Sequence, residues 1–214
     1  LFFMFRVTRR FPGYGCGACA VYRFRLWKFA GKKIIMLIKA DTSCLLVIDV
    51  QEKLVPAMAD ADGVISNAMV LMQAATRLAV PMLVSEQYPA GLGLTVEPLA
   101  ERMDGEAVEK MSFSCVADDG WKTRFDAMGR GQAVIVGIEA HVCVLQTAMD
   151  LLATGHQVFV VADATSSRSP DSHAMALHRL GQAGAEIVTT EMVMFEWLGR
   201  AGTPEFKELS SLIK

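Results

Sequence analysis

Three residues of this chain have the chemical types of a nucleophilic site: the carboxylate of Asp49, the ammonium of Lys110 and the thiol of Cys143. A thiol becomes a nucleophile when a base takes its proton and a positive field steadies the anion. Asp49 can be that base. Lys110 can favour both anions and orient the carboxylate. Burial opposes charge on each of them, so each needs the others. Each also has an ordinary reading: Asp49 caps a turn, Lys110 is solvated, and Cys143 packs a helix on a sheet. Position favours the set. Asp49 closes the apolar run 44–48, Lys110 closes the short run 107–110, and Cys143 follows the run 133–136.

The elements that must place these residues can be read from periodicity. Residues 133–136 are continuously apolar and long enough for a buried strand, and Gly137 breaks the run. From Val142 on, apolar residues recur at Leu145, Ala148, Met149 and Leu152, which is helical spacing. A strand therefore turns into a helix with Cys143 near the helix start. In a parallel α/β sheet, ligands bind outside the carboxyl ends of the strands. A cysteine there feels the positive end of the helix dipole, which favours its thiolate.

The rest of the chain repeats the alternation. Further strands are read at 44–49, 81–85, 107–110, 158–162 and 185–189. Helices are read after Asp62 or Gly63, over 96–103, from Asp118 to about Met128, from Ser169-Pro170 to about Ala183, from Thr190 to Leu198, and from Pro204. Residues 163–169 read as a loop. The sequence thus predicts an α/β fold over 36–214: three α/β/α layers around a six-stranded, mostly parallel Rossmann-like sheet.

Residues 1–35 read differently. They mix aromatic and basic residues without a sustained period, and Met36 leads directly into the first strand. The expectation is an upstream extension outside the fold, with an organelle presequence as the alternative. Formal net charge is −2, but these 35 residues hold eight of the 21 basic residues and none of the 23 acids, so the remainder carries −10. An acidic body disfavours nucleic acid. Five cysteines imply no disulfide framework and point to a reducing, cytoplasmic setting. No apolar run reaches the ~18–20 residues of a membrane span. Cys16 and Cys19 form a CxxC without a suitably spaced second pair, which argues against zinc.

The segments Leu46-Val-Ile-Asp-Val-Gln51, Lys110 and Gly137-Ile-Glu-Ala-His-Val-Cys-Val144 resemble the isochorismatase-like cysteine hydrolases over about residues 40–200. The order Asp, Lys, Cys matches the triad of that superfamily. The resemblance implies Cys143 as nucleophile, Asp49 as general base and acid, and Lys110 as their electrostatic partner. It also implies an oxyanion site made by the backbone N–H groups of Glu139 and Cys143, set by a cis peptide at Ile138–Glu139. Metal-dependent relatives carry an Asp/His cluster after the first strand. Here all four histidines lie beyond residue 140, so a metal-free, cofactor-free site is expected. Cys143 itself argues against vinyl-ether cleavage and for an amide, carbamoyl or similar carbonyl.

Strand-exit loops make Glu86, Gln87, Tyr88 and Phe113 pocket candidates, and His141 a further one. A small-molecule substrate is expected, with no nucleic-acid or membrane partner. The apolar C-terminal helices point to a homo-oligomer. Two other classes compete: a non-catalytic scaffold that retains the triad, and a redox-active thiol protein.

Overall fold

The computed structural model describes residues 37–213. The expected extension over 1–35, with Cys16 and Cys19, lies outside the described residues.

Six strands form one sheet in the order β3-β2-β1-β4-β5-β6. They are β1 (Ser43–Ile48), β2 (Met82–Gln87), β3 (Val108–Lys110), β4 (Gln132–Ile138), β5 (Gln157–Ser166) and β6 (Glu186–Val188). Every pairing within the sheet is parallel. The central strands β1 and β4 are buried along their whole length, as their uninterrupted apolar runs require.

Helices cover both faces. α1 (Ala61–Arg77), α7 (Thr190–Leu198) and α8 (Pro204–Leu209) pack on one side through Leu71, Met72, Val193, Trp197 and Leu209. α4 (Asp119–Met128), α5 (Leu145–Ala153) and α6 (Pro170–Ala183) pack on the other through Trp121, Phe125, Leu151 and Leu180. Two short helices, α2 (Pro89–Leu92) and α3 (Glu97–Ala100), lie between β2 and β3.

Chain order and sheet order part company at β1. The chain proceeds outward through β2 and β3, then returns to the other side of β1 with β4. The carboxyl ends of strands flanking such a reversal, here β1 and β4, are where α/β sheets bind ligands.

Several boundaries differ from the sequence reading, each for a local reason. The cap of α1 is Asp60, whose side chain accepts from Gly63 N at 3.0 Å. The cap of α7 is Thr189, accepting from Met192 N. The polar residues 163–166 continue β5 because a register irregularity between Ile135 and Gly137 lets Thr165 and Ser166 pair with Gly137 and Ile138.

Gly137 does not end β4; it lets β4 pass close to β1. Its φ is 137°, and a Cβ there would stand 2.2 Å from the Ile48 carbonyl oxygen. Both facts exclude a side chain. Gly137→Ala is expected to lower stability by roughly 1–3 kcal/mol or more, since backbone rather than a flexible side chain must move. Chemical denaturation measures this, and an unchanged midpoint would show that β1 and β4 separate freely at this point.

Candidate active site

Asp49 follows the last residue of β1. Along β1, Leu45 and Val47 face the α1 layer, while Leu46 and Ile48 face the α5 layer. Strict alternation would send Asp49 toward α1. Instead Asp49 has φ 56°, a left-handed conformation unusual for a side-chain-bearing residue. Val50 then resumes the α1 side. The turn aims the Asp49 carboxylate at Lys110, whose strand neighbour Val108 lies in the α5 layer.

The two side chains are fully buried and 2.7 Å apart, Lys110 Nζ to Asp49 Oδ2. The other carboxylate oxygen, Oδ1, accepts from Ser85 Oγ at 2.7 Å. Lys110 Nζ also donates to Gln87 Oε1 at 2.7 Å and lies 3.3 Å from the carbonyls of Ser112 and Phe113. A buried ion pair survives only when its remaining donors and acceptors are met in this way. Burial works against the charge on Lys110. The Asp49 carboxylate is the main opposing cause, and the balance holds the ammonium above its ordinary range.

Cys143 lies in a π-helical turn, Ala140–Val144, that joins β4 to α5. It is 5% exposed. Burial pushes its thiol well above the ordinary range; the Asp49 charge adds to the effect and Lys110 opposes it. The sequence reading expected the helix start to favour a thiolate. That contribution is about 0.3–1 kcal/mol at exposed sites. Here desolvation and the Asp49 charge outweigh it, and the thiol lies above its ordinary range. Cys115 lies in the same layer, 3.6 Å from Ser85 Oγ, with its thiol raised by burial to about 11. Cys44 is a core residue raised by burial to about 12. Asp49, Lys110 and Cys143 thus lie close enough for each to act on the charge of the others, and a thiol beside a carboxylate can pass its proton to it as it attacks.

Glu139 precedes the π turn with φ 55° and ψ 55°. The expected cis bond at Ile138–Glu139 is absent, because every peptide bond among the described residues is trans. Left-handed geometry at Glu139 leads from β4 into the π turn instead.

The other candidates have separate settings. Glu86 is buried, and its Oε1 accepts from both Thr95 N and Thr95 Oγ1. Gln87 holds Lys110, as described, and its Nε2 donates to Met111 O. Tyr88 and Phe113 are exposed at 49% and 55%. His141 Nδ1 lies 3.0 Å from Ser167 Oγ. Ser85 went unassigned in the sequence reading. Its role follows from its register with Ile48 across the sheet, which requires the strand order. Among the described residues no group of three or more His, Cys, Asp or Glu side chains is arranged to hold a metal ion.

A six-stranded parallel sheet with helices on both faces is the α/β fold that this chain shares with isochorismatase-fold proteins. An isochorismatase domain model matches residues 43–192, and the chain belongs to that family. The isochorismatase domain-containing protein 2 of Danio rerio is 43% identical over 173 residues, covering 80% of this chain and 86% of that protein. Isochorismatase domain-containing protein 1 of Salmo salar is 38% identical over 173 residues, 81% of this chain but 61% of its own length, so this chain spans about three-fifths of it. Among solved structures, the MAR1 ribonuclease of Caenorhabditis elegans is 38% identical, with a TM-score of 0.78 over 83% of this chain and 92% of that one. The YcaC gene product of Escherichia coli, an octameric hydrolase of unknown specificity, shares the fold at 23% identity and a TM-score of 0.79, over 83% of this chain and 91% of that one.

Proposed function

We propose that the chain is a cysteine hydrolase that cleaves a small amide or carbamoyl C–N bond through a thioester. The observation that supports this reading is the fully buried Asp49–Lys110 pair, 2.7 Å apart, with the Cys143 sulfur within reach of both charges. As sulfur bonds to the carbonyl carbon, its proton passes to Asp49 and the carbonyl π electrons move onto oxygen. The N–H groups of Glu139 and Cys143 receive that oxyanion. When the C=O bond re-forms, the C–N bond breaks and Asp49 returns the proton to the departing nitrogen. Water then attacks the thioester, Asp49 takes its proton, and the sulfur leaves to regain a proton from Asp49. Lys110 keeps Asp49 placed between these transfers.

This reading needs no metal or cofactor and takes a small molecule as substrate. Tyr88, Phe113 and His141 are its candidate pocket residues, with Glu86 and Gln87 behind them. The name ribonuclease on one relative suggests a polyanionic substrate. The acidic balance of residues 36–214 works against that. No helix among the described residues is long and apolar enough to cross a membrane. Cytoplasmic placement remains part of the proposal. Met192 and Phe195 on α7 are 46% and 42% exposed, which suits self-association into a homo-oligomer.

The test is intact-protein mass spectrometry after incubation with a panel of amides and carbamoyl compounds. A substrate-derived mass that maps to Cys143 and disappears in Cys143→Ala is expected. Turnover that survives Cys143→Ala would overturn the reading. Peroxide-dependent sulfenic acid without any acyl adduct would favour the redox-active thiol, and an inert Cys143 the scaffold.

A further inference from the structure

Glu139 occupies a position where glycine would cost least. A left-handed backbone is strained for a residue with a Cβ, and Glu139 has φ 55°. Its side chain does not reach for water to compensate; it is 10% exposed. Oε1 lies 2.7 Å from Arg168 Nε. Oε2 lies 3.3 Å from His141 Nδ1 without hydrogen-bond alignment, and it is buried with no hydrogen-bond partner. His141 Nδ1 is in turn 3.0 Å from Ser167 Oγ.

These partners come from two directions. Ser167 and Arg168 follow the end of β5, where Ser166 pairs with Ile138. Ser167 is itself fixed, its carbonyl accepting from Ala59 N at 3.0 Å. His141 belongs to the π turn that carries Cys143. The Glu139 carboxylate therefore ties the exit of β5 to the turn that carries the thiol, across the peptide whose N–H the proposed mechanism uses.

We propose that the Glu139 carboxylate, held by Arg168, is a positioning group that fixes the orientation of its own backbone N–H toward the oxyanion. Neither side chain touches the reacting atoms in this role. The inference rests on the cysteine-hydrolase reading and goes beyond it. It explains why an acidic residue is kept in a left-handed conformation, and why an arginine that is 63% exposed is engaged by its Nε.

Two small probes separate positioning from thiol reactivity. In acrylamide, the thiolate bonds to the β-carbon, the alkene electrons move toward the amide oxygen, and a proton ends on the α-carbon. Negative charge builds on oxygen, so an oxyanion donor helps. In iodoacetamide, sulfur displaces iodide and the amide oxygen gains no charge. The rates of Cys143 labelling by both are measured in the full chain, in Glu139→Gln and in Arg168→Ala, with thermal unfolding recorded alongside. Arg168 is a surface residue, so its variant tests the idea even if Glu139→Gln folds poorly.

The acrylamide rate should fall roughly tenfold or more in both variants, as expected for a misplaced oxyanion donor. The iodoacetamide rate should stay within about twofold, since the displacement has no use for that donor. Parallel loss of both rates, or unchanged acrylamide labelling, would overturn the proposal. If neither probe labels Cys143 in the unaltered chain, the hydrolase reading fails instead.

Discussion

Replacing Lys110 with methionine is expected to destabilise the fold by about 3–5 kcal/mol, the usual cost of stranding one charge of a buried pair. Asp49 would remain fully buried with Ser85 Oγ as its side-chain partner. Methionine fills most of the volume of the lysine stem, so lost packing contributes little. The deficit should shrink on acidification, because a protonated carboxyl no longer carries an unpaired charge. It should shrink again in the double variant Lys110→Met/Asp49→Asn, which removes both charges and keeps a residue tolerant of φ 56°. Urea denaturation of the three proteins at two pH values provides the measurement. A single variant as stable as the parent would mean that the pair is solvated, contrary to its burial. A double variant no better than the single would mean that packing, not charge, is what Lys110 supplies.

Asp49→Asn should separate two properties of Cys143 that are usually assumed to move together. The Asp49 charge is the second cause, after burial, that holds the thiol proton in place, while Lys110 pulls the other way. Removing the carboxylate and keeping the ammonium therefore favours thiolate. Alkylation by iodoacetamide at neutral pH should quicken by about threefold for each tenfold gain in thiolate, because nucleophilicity falls as acidity grows. Hydrolytic turnover should nonetheless drop by roughly 10²–10⁴, the range for loss of a general acid and base. Amides need a proton on the departing nitrogen, and asparagine has none to give. Slower alkylation would assign Asp49 to activating the resting thiol. Preserved turnover would remove it from the proposed proton path.

The legible part of this protein was whatever depends on one strand at a time. Residues 44–49 read as a buried parallel strand ending in an acid, and β1 with Asp49 matches that. Lys110 at the end of β3 was found in the same way. Partnerships between strands were not legible. Ser85 and Gln87 complete the surroundings of Asp49 and Lys110 only because β2 lies between β1 and β3. Gly137 was read as a stop because glycine interrupts an apolar run; its actual role depends on how close the Ile48 carbonyl comes. The place of the thiol near a helix start can be read locally, whereas the degree of burial, which pushes that thiol up, cannot.

The π turn over 140–144 has a consequence for how this segment can change in evolution. Each residue in a helix advances the direction of its neighbours by roughly 100°. Deleting a single residue would wind the segment into regular α-helix and swing the sulfur away from Asp49, with every other contact of α5 left in place. The joint between β4 and α5 is therefore fixed in length. An insertion or deletion there should silence the site in a protein that still folds.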